Sequence, residues 1–335
     1  MTVLVTGGGG FLGHAIITRL LAEGLSVRSL ARGDYPELEA AGVECIRGDL
    51  ADADDVDRAV EGCDLVYHVA AKPGVWGSYD EYYRPNTLGT LNVIESCRRF
   101  GVARLVYTST PSVVHGGADI EGADESLGYP DKFETHYPAT KAEAEQAVLA
   151  ANSDTLRTVA LRPHLIWGPG DNHLVPRIIA RAQAGRLRLV GPPSPQIDST
   201  YVDDAARAHV LAAKELAGKA RCAGKPYFIS QGEPWASDAL INGILSAAGM
   251  PPCRRYLSPR VAWFAGACFE FVYWLFRIRN EPPITRFVAH QLSTAHWYNI
   301  SAAERDFGFV PEIEIAEGLE RLTLDFKGRE QPPRS

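Results

Sequence analysis

Thr2-Val3-Leu4-Val5-Thr6-Gly7-Gly8-Gly9-Gly10-Phe11-Leu12-Gly13 opens the chain, and its reading decides the fold. The first five residues have the pattern of a short buried strand. Four glycines follow, and an apolar-periodic helix runs on through about Glu23. Strand, glycine turn and helix, in that order, form the context in which a glycine triplet binds a dinucleotide. Gly7 permits the tight turn. Gly10 lets the backbone approach a pyrophosphate seated on the helix N-terminus, and Gly13 allows close helix–sheet contact. The spacing is G-x-x-G-x-x-G rather than G-x-G-x-x-G. The bland alternative is a glycine-rich turn that holds no ligand.

Outward from this unit, strand and helix signals alternate. Strands are expected at Val27–Leu30, Val43–Ile46, Leu65–Val69, Arg104–Thr108 and Thr158–Arg162, with helices between them, for example 87–100 and 140–150. Repeated β-α units with short apolar strands imply an α/β fold, a doubly wound parallel sheet covered on both faces. Ligand then binds beyond the carboxyl ends of the strands. After Gly168-Pro169-Gly170 the rhythm breaks, and prolines cluster at 192, 193 and 195 and again at 251, 252, 282 and 283. The expected organisation is a Rossmann domain over 1–170, with returns near 198–210 and 226–231, and a smaller C-terminal substrate lobe over 171–330.

The sequence has 335 residues, 22% charged and 46% hydrophobic, with a net charge of −7. That balance is ordinary for a soluble protein and argues against nucleic acid as a partner. The six cysteines are scattered without a C-x-x-C, which reads as reduced thiols and no metal site. Met1 runs directly into the first strand, so we expect no signal peptide and a cytoplasmic protein.

Several residues carry chemistry. Tyr137 and Lys141, in His136-Tyr137-Pro138-Ala139-Thr140-Lys141, lie four apart and share one helix face. A phenol titrates near pH 10, and an ammonium beside it stabilises phenolate and lowers that value. The pair suits proton exchange with an alcohol or carbonyl oxygen. The second strand ends Leu30-Ala31-Arg32-Gly33, where an NAD-binding unit usually carries an acid for the ribose hydroxyls. With Arg32 there, NADP is expected over NAD, although Asp34 follows two residues later. Asp49 reads equally as an acceptor for the adenine amine and as a cap for the coming acidic helix start. Thr108-Ser109-Thr110 ends the fifth strand and offers a hydroxyl to a substrate oxygen.

With these residues the chain resembles the extended short-chain dehydrogenase/reductases. The resemblance covers essentially the whole chain and rests on Thr6–Gly13, His68-Val-Ala-Ala71, Asn86-Thr-Leu-Gly-Thr90, Tyr107-Thr-Ser-Thr110, Tyr137-Pro-Ala-Thr-Lys141, Leu161-Arg-Pro163 and Tyr201-Val-Asp-Asp204. It implies that Tyr137 is the general acid/base, that Lys141 binds the nicotinamide ribose, and that Thr110 supplies the catalytic hydroxyl, with Ser109 as its neighbour. Phe11, Leu12, Leu50 and Ala70 would join the glycines around the cofactor, Pro163 would lie near its carboxamide, and Asn86 would support the strand ends.

Within that superfamily the chain is similar to the 3β-hydroxysteroid and sterol-4-carboxylate 3-dehydrogenase branch. There it looks like the bacterial 2-alkyl-3-oxoalkanoate reductases of long-chain olefin biosynthesis, through 71–79, 161–171 and 228–234. Such enzymes reduce a long-chain β-keto acid to the β-hydroxy acid. This is the leading expectation, with a steroid or sterol-carboxylate dehydrogenase as alternative. A sugar-nucleotide epimerase is a third reading. Dehydratase chemistry lacks its acidic pair, because Pro111-Ser112 follow the hydroxyl. A redox sensor that has lost catalysis would lack Tyr137 or Lys141. The likeness also implies a homodimer and association with other enzymes of the pathway.

Trp76, Tyr83, His164 and Trp167 are candidate substrate residues, each weighed against ordinary packing. Val261 to Ile278 is almost wholly apolar and broken by Glu270. A charge in mid-span costs about 2.5–3.5 kcal/mol on the insertion scale, so a membrane-spanning helix is rejected. A buried, pocket-lining helix is favoured over a surface helix docked on a membrane or partner.

Overall fold

Seven parallel strands form the central sheet in the computed structural model, which describes residues 1–191 and 194–330. Pro192 and Pro193, in the first proline cluster, lie outside the described residues. In chain order the elements of this unit begin with β1 (Thr2–Thr6), α1 (Phe11–Ala22), β2 (Ser26–Ala31) and β3 (Glu44–Arg47). Then come α2 (Ala53–Val60), β4 (Leu65–His68), α3 (Gly89–Arg99), β5 (Arg104–Thr108) and α4 (His136–Ala150). The unit closes with β6 (Arg157–Pro163), α5 (Val202–Ala217) and β7 (Pro226–Ile229). The strands lie in the order β3-β2-β1-β4-β5-β6-β7. This is a Rossmann-type doubly wound sheet whose order reverses between β1 and β4, opening a crevice at their carboxyl ends.

The strand sequences explain the layering. Val3 and Val5 face one apolar layer with Ile16 and Leu20 of α1 and Ala205 of α5. Leu4 faces the other, with Val93 of α3 and Ala144 and Val148 of α4. Successive residues point to opposite faces, and both faces are covered, so all three side chains are fully buried. Each such side chain contributes about 1.5–3 kcal/mol by leaving water.

The segment near 198–210 rejoins this domain, but as a helix rather than as a strand. Ala205, Ala206, Ala208, Ala212 and Ala213 are all buried, and their small side chains let α5 lie close to α1 and the sheet. Only Thr200–Tyr201 is extended, paired with Ile166–Trp167. The edge strand β7 pairs with β6, as the apolar run Tyr227-Phe228-Ile229 requires.

The later part of the chain builds its own core, in which Leu240, Ile244 and Ile315 surround Trp167. A second sheet joins Ile120–Ala123, His296–Tyr298, Gln196–Ile197 and Trp235–Ala236. Two helices complete this side, α6 (Pro259–Leu275) and α7 (Arg286–Gln291). The expectation that α6 is buried is overturned. Only Ala262 and Gly266 are buried, while Phe264, Trp274 and Phe276 are 67%, 69% and 70% exposed. The reason is its narrow seam. A Cβ on Gly266 would lie 2.6 Å from the Thr285 carbonyl carbon, so the backbones touch. Four residues further on, Glu270 accepts from Arg286 Nε at 2.5 Å and from the Arg286 backbone N–H at 2.7 Å. The charge that interrupts the apolar run is thus the seam's polar contact. Among the described residues, no helix is long and apolar enough to cross a membrane.

Candidate active site

Helix α4 begins at His136, earlier than the sequence pattern implies. Thr135 ahead of it is extended, and Pro138 falls in the first turn, where its missing N–H leaves no bond unmade. Tyr137 and Lys141 therefore stand on the first two turns, over the ends of β5 and β6. Lys141 is 2% exposed. Its Nζ donates to the Thr108 carbonyl at 2.6 Å and lies 4.1 Å from the centre of the Tyr107 ring. One turn beyond, Glu145 accepts two hydrogen bonds from Arg162 of β6, at 3.0 and 2.6 Å, and one from the Tyr129 hydroxyl at 2.7 Å. Both charges of this pair are buried, so each needs the other in place.

The electrostatics correct one expectation. In the cofactor-free fold Lys141 is not among the groups that shift the Tyr137 phenol. Burial pushes the phenol up to about 12, and the Thr110 hydroxyl beside it acts in the opposite direction. Burial brings the Lys141 amine down to about 7, partly offset by the Glu145 carboxylate. The ammonium is directed at the Thr108 carbonyl instead of the phenol. At neutral pH the phenol is thus protonated, and the amine gives up its proton far more readily than an ordinary lysine.

A single groove of about 820 Å³ follows the carboxyl ends of the strands. Its lining includes Gly7, Gly10, Phe11, Leu12 and Gly13 at one side, and Arg32, Asp49, Leu50 and Ala70 along the floor. Thr110, Tyr137, Lys141 and Pro163 lie at the far end, with Ser109 beside them. Gly7 has φ +71°, and a Cβ there would sit 2.9 Å from the Ala70 Cα. A Cβ on Gly13 would lie 2.2 Å from the Gly7 carbonyl oxygen, which explains glycine at both positions. The Gly10 N–H is spent on the Gly7 carbonyl at 2.9 Å, closing the turn. Asp49 Oδ1 accepts from the Ala51 N–H at 3.0 Å, while the N-cap of α2 is Asp52. Ser109 Oγ is buried at the groove with no protein partner. The glycine cradle, this orphaned hydroxyl and the buried cation together suit a nicotinamide dinucleotide.

For several segments that the sequence singled out by resemblance, the structure supplies the contacts. Thr6 Oγ1 accepts from the Val69 and Ala70 N–H groups, both at 3.1 Å, and meets His68 Nδ1 at 2.8 Å. His68 Nε2 meets Thr90 Oγ1 at 2.9 Å, and Thr90 donates to the Asn86 carbonyl at 2.5 Å. Asn86 in turn binds the Lys72 N–H through Oδ1 at 2.7 Å and Thr140 Oγ1 through Nδ2 at 3.2 Å. Burial and the nearby Lys141 bring His68 down to about 3, so its ring is neutral. The available signal was a histidine closing an apolar strand, Leu65-Val66-Tyr67-His68. Tyr35 was missed: a Cβ on Gly9 would lie 2.0 Å from its ring, so the ring rests on the glycine loop.

Of the candidate substrate residues, Trp76 lines two further cavities of about 550 and 730 Å³ beside α6. The smaller includes Tyr82, Phe133, His136, Trp263 and Phe287 in its lining and so reaches the residue before Tyr137. Tyr83 stacks on Tyr79 at 5.5 Å between ring centres. Trp167 is fully buried, and its Nε1 donates to Ser199 Oγ at 3.0 Å, so it is a core residue. His164 is buried against His296 and Tyr298 of the second sheet, at 5.1 and 5.7 Å between ring centres. It follows the end of β6 and is not among the residues that line the groove.

Comparison with known proteins places this geometry in context. Residues 4–258 match the pattern of the 3-beta hydroxysteroid dehydrogenase/isomerase family. A 2-alkyl-3-oxoalkanoate reductase of Stenotrophomonas maltophilia is 54% identical over 96% of this chain and 98% of its own. One of Shewanella oneidensis is 48% identical over 95% and 84%. Among solved structures, MoeE5 in complex with UDP-glucose and NAD superposes with a TM-score of 0.75 at 26% identity, covering 99% of this chain and 100% of that one.

The Lys141 shift has a thermodynamic consequence. Its amine titrates near 10.5 when unperturbed and at about 7 in the fold. Between those values the unfolded chain holds a proton that the folded chain has lost, so this group favours folding progressively as pH rises. In cofactor-free protein, the melting temperature of the wild type relative to Lys141→Met is expected to climb from pH 7 to pH 10. A difference that stays constant across that range would show that the buried amine keeps its ordinary pKa.

Proposed function

The chain belongs to the 3-beta hydroxysteroid dehydrogenase/isomerase family, and from that premise we propose that this oxidoreductase is an NADPH-dependent reductase of long-chain 2-alkyl-3-oxoalkanoic acids. The 54% identity to a reductase of that name over nearly the full length of both chains carries the reading. The likeness to MoeE5 supports a nicotinamide cofactor. Arg32 at the end of β2, where an NAD site usually carries an acid, favours the 2′-phosphorylated form. The Gly7–Gly13 loop would take the pyrophosphate, and Lys141 the nicotinamide ribose.

A bound reduced nicotinamide supplies hydride to C3 of the keto acid. The protein's part is to accept and neutralise the oxygen. Tyr137, kept protonated by burial, gives its phenolic proton to that oxygen as negative charge develops there. The Thr110 hydroxyl beside it donates a second hydrogen bond. Once the phenol has lost its proton, Lys141 is the buried cation that offsets the phenolate. A β-keto acid readily loses CO2, so an oxygen acceptor already in place favours reduction over decay. Trp76 lines both cavities beside α6, and two neighbouring cavities suit an acid with two alkyl tails.

The exposed face of α6 is the reductase's attachment to lipid. Val261, Phe264, Phe271, Trp274, Leu275 and Phe276 present apolar surface to water. Exposed Arg254, Arg255, Arg260, Arg277 and Arg279 flank them, which matches anionic headgroups. Both cavities open beside this helix, so a long-chain acid would pass directly from the bilayer.

Two measurements test these assignments. Replacing Tyr137 by Phe should lower kcat by roughly 10²–10⁴-fold and leave the NADPH dissociation constant nearly unchanged; retained turnover would remove Tyr137 from the chemistry. The protein should sediment with phosphatidylglycerol vesicles more than with phosphatidylcholine vesicles. The double variant Phe264→Ser, Phe271→Ser should lose that binding, and equal binding by variant and wild type would exclude α6 as the contact.

A further inference from the structure

Three charged residues cluster around the end of β2, and of these Arg32 lines the groove. Arg32 follows the strand directly. Asp34 comes two residues later, beyond Gly33. Arg47 arrives from the neighbouring strand, where its Cα partners Ala31. The Gly48 N–H donates to the Ala31 carbonyl at 3.0 Å, so the two strand ends are locked together. Arg47 Nη1 lies 3.3 Å from Asp34 Oδ2.

A carboxylate at this point of a dinucleotide site accepts hydrogen bonds from the adenosine ribose hydroxyls and repels a 2′-phosphate. The chain therefore carries a group suited to the unphosphorylated cofactor within two residues of the guanidinium suited to the phosphorylated one. Which of them faces the ligand depends on what engages the carboxylate. Both members of the Arg47–Asp34 pair are more than 70% exposed, and such a pair adds little to folding stability. Its effect on the local charge is larger. With Arg47 present, Asp34 is neutralised and the rim keeps one net positive charge from Arg32. Without Arg47 the free carboxylate cancels Arg32. Without both, Arg32 again stands alone.

We propose that Arg47 is the specificity-determining residue that masks Asp34, so that the rim presents Arg32 to a 2′-phosphate. This rests on the NADPH reading above and goes beyond it. It assigns the preference to a pair of residues on two strands, and it predicts a rescue. Arg47 acts through Asp34, so removing the carboxylate should restore what its loss takes away.

Calorimetry with adenosine 2′,5′-bisphosphate and ADP, followed by NADPH and NADH, reads this without turnover. Wild type should bind each 2′-phosphorylated ligand more tightly than its counterpart; the opposite order would overturn the NADPH reading and the mask with it. Given that preference, Arg47→Ala should reduce the ratio of the two affinities roughly five- to tenfold, less at high salt. The double variant Asp34→Ala, Arg47→Ala should recover most of the ratio. If Arg47→Ala weakens both ligands equally, or leaves the ratio unchanged, the mask is refuted while the NADPH reading stands. If the double variant stays as poor as Arg47→Ala, Arg47 touches the phosphate itself and the masking account fails.

Discussion

The buried ammonium of Lys141 is the constraint on which the rest of the site depends. Its hydrogen bond to the Thr108 carbonyl joins α4 to the end of β5, and the Tyr107 ring covers it. Desolvating such a group is costly, and the fold offsets that cost with a carbonyl, an aromatic face and the Glu145 carboxylate one turn away. Glu145 is itself held by Arg162 of β6. The helix that carries Tyr137 is thus tied to two adjacent strands by charge-assisted contacts, and it cannot shift without stranding a buried charge.

Beneath this, a chain of small polar groups joins the glycine loop to the same helix. It runs from Thr6 through His68 and Thr90 to Asn86 and Thr140. Each member is buried and partnered, so the chain is rigid. The glycine loop and Tyr137 are therefore set against each other by the core of the sheet. Helix α6 is held differently, by a narrow seam against α7 in which Glu270 meets Arg286. That contrast suits the proposed reaction, in which the reacting end is fixed and the side that would hold the acyl chain is adaptable.

Much of this was legible in the sequence because it is local. The strand–glycine–helix unit and the spacing of Tyr137 and Lys141 follow from periodicity and from positions that only glycine can occupy. The pKa order was not legible, since it depends on where the Lys141 Nζ points and how dry the site is. Trp167 could be weighed only between pocket and packing, because its partner Ser199 stands 32 positions later. Helix α6 looked buried because composition reports apolarity but not the width of the contact face. The Glu145–Arg162 and Asp34–Arg47 pairs arise from strand order, which no single segment encodes.

In the proposed reaction Tyr137, Lys141 and Thr110 receive a keto oxygen while hydride arrives at the carbon that bears it. A single turnover with NADPH carrying deuterium at the transferable C4 position, given a 2-alkyl-3-oxoalkanoic acid and followed by mass spectrometry, tests it most directly. One deuterium should appear at C3 of a 2-alkyl-3-hydroxy acid, formed in step with the loss of NADPH absorbance. Unlabelled product, or a decarboxylated ketone with the deuterium still on the cofactor, would contradict it.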